Sequence, residues 1–310
     1  MTPAPALSFV VVTDTAATIA EVLAALRRQT IRERIELVAV CADERGLGLD
    51  SADTEGIGSV RVVEVGDIVP VHEASAVGVR VAGAPVVVIG ETHAYPEPDA
   101  LELILRCFED GTVAAVAPGL GNANPGPASW GSLMVTYGAA LGAEVRELGT
   151  ISTHNAAVRR ELLLALGDEL PFRLTLGGAL GETLRRGGHR LLYQPAAVFA
   201  HVNVARLRSC FVDRFHSSRC YASGRARGWG VGRRALYLVG TPLLPVLLGW
   251  RIAHSRGWRQ HRAELGWGVW PSIAVSVAGM AAGEAAAYAH GAGRSFELVA
   301  DYEVHRERYV

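Results

Sequence analysis

The sequence predicts an α/β fold, a mainly parallel sheet flanked by helices, followed by an apolar helical hairpin that associates with a membrane. Three observations carry this. Short β-branched runs alternate with segments of helical periodicity, the pattern of strands joined by crossover helices. One apolar run, within 85–101 (PVVVIGETHAYPEPDAL), stops abruptly in an acid and an imidazole, Glu91 and His93. Two long, nearly uncharged stretches, 235–253 and 269–289, follow an arginine-rich segment.

Taken in order, Leu7–Val12 is a buried strand, and Ile19, Val22, Leu23 and Leu26 then recur at helical spacing. Ile35–Cys41 and 60–65 are the second and third strands, separated by a Gly- and Asp-rich surface loop. Residues 73–82 have helical character and lead into the strand that ends at Glu91-Thr92-His93. In the following Tyr95-Pro96-Glu97-Pro98, the prolines are expected to end any ladder. Because ligands of open α/β sheets sit at the carboxyl ends of strands, this triplet is a site candidate; the plainer reading is a polar loop. Residues 99–109 then read as a helix with Leu101, Ile104, Leu105 and Phe108 on one face, and 113–117 as a strand. The turn-rich 119–132 reads as a mobile loop, either a lid or simple disorder, and a helix is expected from about Ala156.

The chain has 310 residues, half of them apolar, and a net charge of −1, a balance that argues against a nucleic-acid partner. All thirty basic residues are Arg. The lack of Lys excludes a Walker-type phosphate loop and Schiff-base chemistry. Cys41, Cys107, Cys210 and Cys220 show no paired metal spacing, and the N-terminus lacks the basic region of a secretory signal, so a cytoplasmic start is expected. From Arg206 to Arg234 arginines are interleaved with Phe211, Phe215, Tyr221 and Trp229, a composition suited to a membrane surface. Each apolar stretch is close to the length that crosses a bilayer. Pro242, Pro245 and Gly249 favour the alternative of buried helices, and the positive connecting loop favours a shallow hairpin with both ends on one side. The resulting organisation is 1–203 as the α/β domain, 204–234 as an interfacial segment, 235–290 as the apolar hairpin and 291–310 as a polar tail.

Four segments in order resemble the inverting family 2 glycosyltransferases of GT-A fold: SFVVVTDTAATIAEVLAALRRQT, ASAVGVRVAGAPVVVIGETHAYPEPDAL, HNAAVRRELLLALG and GGHRLLYQPAAVFAH. The resemblance covers about residues 7–203. It implies a nucleotide-sugar donor, a divalent metal (Mn2+ or Mg2+) at the diphosphate, and single displacement with inversion. The acid-x-His triplet is similar to the version in polypeptide N-acetylgalactosaminyltransferases, which implies Glu91, His93 and His201 as metal ligands; His201 can equally be an ordinary strand residue. Thr13, Asp43 and Glu91 would lie near the nucleotide. Two departures stand out. Cys41 occupies the place of the base-reading Asp, and Leu176-Gly177 that of the Glu-Asp pair supplying the general base. Glu182, Asp168 or Glu169 would have to substitute, although Glu182 can instead pair with Arg185 or Arg186. With the hairpin, the resemblance implies a lipid-linked or polysaccharide acceptor and a place on the cytoplasmic side of the cell membrane. The alternative is a catalytically degenerate binding or scaffold subunit.

Overall fold

The computed structural model describes residues 4–175 and 177–310; the expected base position at Leu176 therefore lies outside the described residues. The chain divides into two compact units, Met1–Gly121 with Glu144–His201, and Asn122–Ala143 with Val202–Val310.

The first unit is α/β. Its strands are β1 (Leu7–Val12), β2 (Ile35–Cys41), β3 (Ser59–Glu64), β4 (Val86–Ile89), β5 (Ala94–Pro96), β6 (Val113–Asn122), β7 (Arg146–Glu147), β8 (Ala157–Arg159) and β9 (Arg190–His201). They form one sheet in the order β3-β2-β1-β4-β8-β6-β9-β5, with β7 paired to β9. The first four strands in that order are parallel, as the strand–helix alternation predicts. Beyond β4 the β4–β8, β6–β8, β5–β9 and β7–β9 ladders are antiparallel, so the sheet is mixed.

Helices α1 (Ala20–Arg27), α2 (Glu44–Leu47), α3 (Val71–Val81) and α4 (Ala100–Cys107) follow the early strands. After α5 (Pro127–Tyr137), which belongs to the second unit, come α6 (Arg160–Leu164), α7 (Leu170–Thr175) and α8 (Gly177–Arg186). Strand alternation sorts the core into two layers. Phe9 and Val11 of β1 pack with Leu23 and Leu26 of α1 and Leu101 and Ile104 of α4. Val10 and Val12 pack with Ala76 and Val79 of α3 and with Leu174 and Leu184.

Three expectations are corrected. Tyr95 and Pro96 do enter a ladder: β5 pairs antiparallel with β9. It is the terminal strand of the sheet, and an edge tolerates a proline because its missing N–H is not needed by a second neighbour. The 119–132 segment is a loop only over 123–126; the rest is the end of β6 and the start of α5. Gly119 allows that strand to lie close to β9, since a Cβ there would sit 2.4 Å from the Pro195 carbonyl oxygen, and Pro127 opens α5 where no N–H is required. The helix expected from Ala156 begins only at Arg160, because Ala157 and Val158 are claimed by β4 and β6 on either side. Tertiary pairing overrides helical propensity there. The 42–58 loop also contains the short α2, capped by Asp43.

The second unit is helical, with α9 (Leu207–Arg225), α10 (Val231–Gly240), α11 (Leu244–Ala253), α12 (Arg256–Gln260), α13 (Trp270–His290) and α14 (Ser295–Val304) joining α5. Gly279 and Gly283 of α13 lie under the α9 backbone; a Cβ on either would come within 2.5 or 2.1 Å of the Phe211 or Phe215 carbonyl oxygen. Asp213 of α9 is fully buried, 2.5 Å from Arg214 Nη2 and 3.4 Å from Arg306 Nη1. Both predicted apolar stretches form helices long and apolar enough to cross a membrane, Val231–Ala253 and Trp267–His290. Their surroundings differ: 11% of the most apolar part of the first is buried, against 50% for the second.

Candidate metal and donor site

The parallel topology brings three predicted residues to one edge. Strands β1, β2 and β4 run the same way, so Thr13, Asp43 and Glu91 all follow carboxyl ends. Strand β1 is flanked by β2 on one side and β4 on the other, making the β1–β4 gap a topological switch point, where ligands of such sheets bind. Adjacent strands are about 4.8 Å apart, so the three positions fan across roughly 10 Å of the edge.

Gly90 makes the turn into Glu91 possible. Its N–H donates to the Val10 carbonyl at 2.8 Å, and a Cβ would fall 2.2 Å from Phe9 Cε1. Glu91 then points into a buried cluster, being 7% exposed itself, with His93 at 0% and His201 at 3%. His93 Nε2 lies 3.7 Å from Glu91 Oε1, and His201 Nε2 lies 3.5 Å from Oε2. The two imidazoles meet edge to face with centroids 4.9 Å apart.

Two ladders assemble this cluster. The β5–β9 register sets Ala94 opposite His201, which carries His201 to the residue beside His93. Gln29 fixes that segment from behind: buried at the end of α1, it donates to the Pro96 and Glu97 carbonyls and accepts from the Leu101 N–H. The β4–β8 register, in which Val88 faces Ala157, brings the residues before β8 alongside Glu91. His154 Nδ1 is thereby 2.8 Å from Glu91 Oε1, and the Asn155 side-chain amide donates to Glu91 Oε2. Asn155 holds this pose in the left-handed region, φ 58°, which Asn accepts more readily than most residues.

Burial alone would raise the Glu91 carboxyl. The neighbouring His93 and His154, with hydrogen bonds from His154 and His201, outweigh it and hold the carboxyl well below the usual carboxylate range. Glu91 is thus kept as an anion inside the protein.

The arrangement fits a divalent metal. Ligand atoms of Glu91, His93 and His201 all lie within 4.8 Å of one another. Around an ion with bonds of about 2.1 Å, adjacent ligands sit about 3–3.4 Å apart, so the side chains would draw together by up to about 1.5 Å on binding. Asn155 Oδ1, on the amide that grips Glu91, is buried with no hydrogen-bond partner, as expected beside a site whose occupant brings donors of its own. One carboxylate with two imidazoles suits a first-row metal better than magnesium.

The remaining predicted residues are placed as follows. Thr13 is buried at the end of β1, its hydroxyl donating to the Thr15 carbonyl at 3.0 Å. Asp43 is exposed and caps α2, accepting from the Gly46 N–H at 2.7 Å. Glu182 is exposed on α8 and pairs with Arg186 at 2.5 Å, the local pairing foreseen for it. Asp168 is exposed in the turn Gly167–Glu169, and Glu169 pairs with Arg173 at 2.7 Å. His154 was not singled out as a site residue from the sequence. The signal available was a His-Asn pair directly before a buried apolar triplet, and it becomes meaningful only once that triplet is known to pair with β4.

No protein-family model matches the sequence, and no curated protein matches it. Similar solved structures include GalNAc-T7 with UDP, GalNAc and Mn2+, at 16% identity and TM-score 0.49, covering 64% of this chain and 43% of that one. S. aureus TarS is similar at 13% identity and TM-score 0.49, with coverage of 91% and 55%. The crystal structure of S. aureus TarS 1–349 in complex with UDP is similar at 13% identity and TM-score 0.47, with 92% of each chain covered. The chain therefore spans less than two thirds of the GalNAc-T7 chain and of the longer TarS chain.

Proposed function

We propose that this chain is a metal-assisted, GT-A-like glycosyltransferase of the family 2 type. It would transfer a sugar from a nucleotide-activated donor, with inversion, to a lipid-linked or polysaccharide acceptor on the cytoplasmic side of the cell membrane. The observation that carries the reading is the convergence of Glu91, His93 and His201 at the carboxyl edge of the sheet, beside its switch point.

Glu91, His93 and His201 would hold the metal, which when bound supplies positive charge to a diphosphate leaving group. The other roles belong to the chain. Asn155 and His154 orient the Glu91 carboxylate through its two oxygens. Thr13 and Asp43, on the neighbouring strand ends, would face the nucleotide. The base for the acceptor hydroxyl falls to Glu182 or Asp168. In support of Glu182, Gly181 beside it packs closely on the segment that precedes His154, since a Cβ there would meet the Ile151 nitrogen at 2.7 Å.

The test is calorimetric binding of a panel of nucleotide sugars with Mn2+, alongside turnover in detergent. Metal-dependent donor binding is expected to vanish in Glu91→Ala and His93→Ala; unchanged binding in both would sink the assignment. Glu182→Gln should keep donor binding and lose turnover. A second reading, a donor-binding subunit without turnover, is favoured by the commitment of Glu182 to Arg186. It predicts full metal-linked binding and no transfer to any acceptor in wild-type protein.

A further inference from the structure

We propose that Val231–Ala253 lies within a single leaflet of an anionic bilayer, parallel to its surface, with both of its flanks on the same side. This deepens the membrane part of the preceding reading. Its test measures lipid contact and never sugar transfer, so failure of either is distinguishable.

The outward face of this helix run is the first observation. Leu236, Val239, Leu243, Val246, Leu247 and Trp250 recur at helical spacing and are 70, 78, 64, 74, 54 and 63% exposed. A helix face turned to water normally carries polar side chains, and this one carries none. It is a continuous apolar stripe about 21 Å long at 1.5 Å per residue, far from the scattered single apolar residues of ordinary surfaces.

Charge selects the occupant. Between Arg234 and Arg251 no charged residue occurs. Although the whole run Val231–Ala253 is long enough to cross, this uncharged interval of sixteen residues, 235–250, spans about 24 Å as helix, less than the hydrocarbon core of about 30 Å. Arg227 and Arg233 precede it and Arg251, Arg256 and Arg259 follow it, all exposed. Crossing the membrane would drive one arginine group to the far side, against the distribution of basic residues around membrane helices. Lying flat sets both groups at anionic headgroups while the stripe enters the acyl region. Trp250 at one end of the stripe and Trp267 beyond it, the latter 89% exposed, suit the interface by their amphipathic rings.

The second apolar helix is not available as a spanning partner. Helix α13 packs along α9 through Gly279 and Gly283, and α9 carries Asp213, Arg214 and Arg219. Taking α13 across would draw those charges in with it. It serves as the central helix of its own unit, half of its apolar part covered, whereas the α10–α11 run is almost wholly uncovered.

The full-length chain is mixed with phosphatidylcholine vesicles and with vesicles containing about one third phosphatidylglycerol, then floated on a density gradient. Recovery with the anionic vesicles is expected, weakened about tenfold or more in the double variant Val239→Glu/Val246→Glu. Circular dichroism and thermal unfolding check that the variant folds. Arg233→Cys and Arg259→Cys, each added to preformed vesicles, are labelled with a membrane-impermeant maleimide. Both should react, and protection of one alone would mean spanning and overturn the proposal. Equal recovery of wild type and double variant would overturn it too. A lipid-free dimer dissociated by the same substitutions, with no vesicle binding, would assign the stripe to a second copy instead.

Discussion

Replacing His201 tests whether the β5–β9 register builds a metal site or merely a buried histidine. His201 is 3% exposed, so water does not readily take its place, and its Nε2 is 3.5 Å from Glu91 Oε2. Structural Zn2+ sites of four protein ligands bind with about 10–16 kcal/mol, or about 2.5 kcal/mol per ligand at the lower end, and Mn2+ stands lower in the first-row affinity order. Removing one imidazole should therefore weaken Mn2+ binding by about tenfold or more. His201→Ala also leaves a void against the His93 ring, costing about 2 kcal/mol of stability, so His201→Gln serves as a space-filling companion. The exposed His290→Ala is the control. Titration of metal-stripped protein by calorimetry or by the Mn2+ resonance signal gives the affinity, and thermal unfolding gives the folding check. Well-folded His201 variants that bind Mn2+ within about twofold of wild type would refute the reasoning, because that loss is far below one ligand's contribution.

Gly90→Ala should destabilise the first unit by about 1–3 kcal/mol and impair metal binding, since its Cβ would meet Phe9 at 2.2 Å; denaturant unfolding measures the first effect. Gly283→Ala should cost a similar amount in the helical unit, where the Cβ would lie 2.1 Å from the Phe215 carbonyl oxygen, while leaving Mn2+ affinity unchanged. Asp213→Asn should destabilise the helical unit by about 3 kcal/mol at pH 7, because Arg306, 5% exposed, loses its buried counter-charge. Its pH dependence follows from the same pair. Burial would raise the Asp213 carboxyl, but Arg214 and Arg306 hold it below its ordinary value. Its stabilisation is therefore complete above the unfolded carboxyl value of about 3.9 and is lost as pH falls through the folded one. The gap between wild type and Asp213→Asn should begin to close as pH falls below about 4 and close fully only below the folded carboxyl value, as read by chemical denaturation.

Much of the first unit was legible because parallel strands buried on both faces leave a strong local record. The runs Leu7–Val12 and Ile35–Cys41 match β1 and β2 residue for residue. Their common direction was enough to place Thr13, Asp43 and Glu91 at one edge. Antiparallel additions leave a weaker record. Strands β5 and β8 have three residues each, one ending in Pro96 and the other containing helix-favouring alanine and arginine, and only their partners make them strands.

The sequence by itself determined an α/β unit, an acid and an imidazole at a strand end, and two helices of bilayer length. These follow from periodicity and composition, which are local properties. The tertiary structure decided the rest. It brought His201 to His93, and His154 and Asn155 to Glu91, through ladders between residues far apart in the chain. It also separated two helices of nearly equal composition, covering much of α13 with α9 and leaving the α10–α11 stripe exposed. Hydropathy states how strongly a helix avoids water; only packing states whether protein or some other phase takes the water's place.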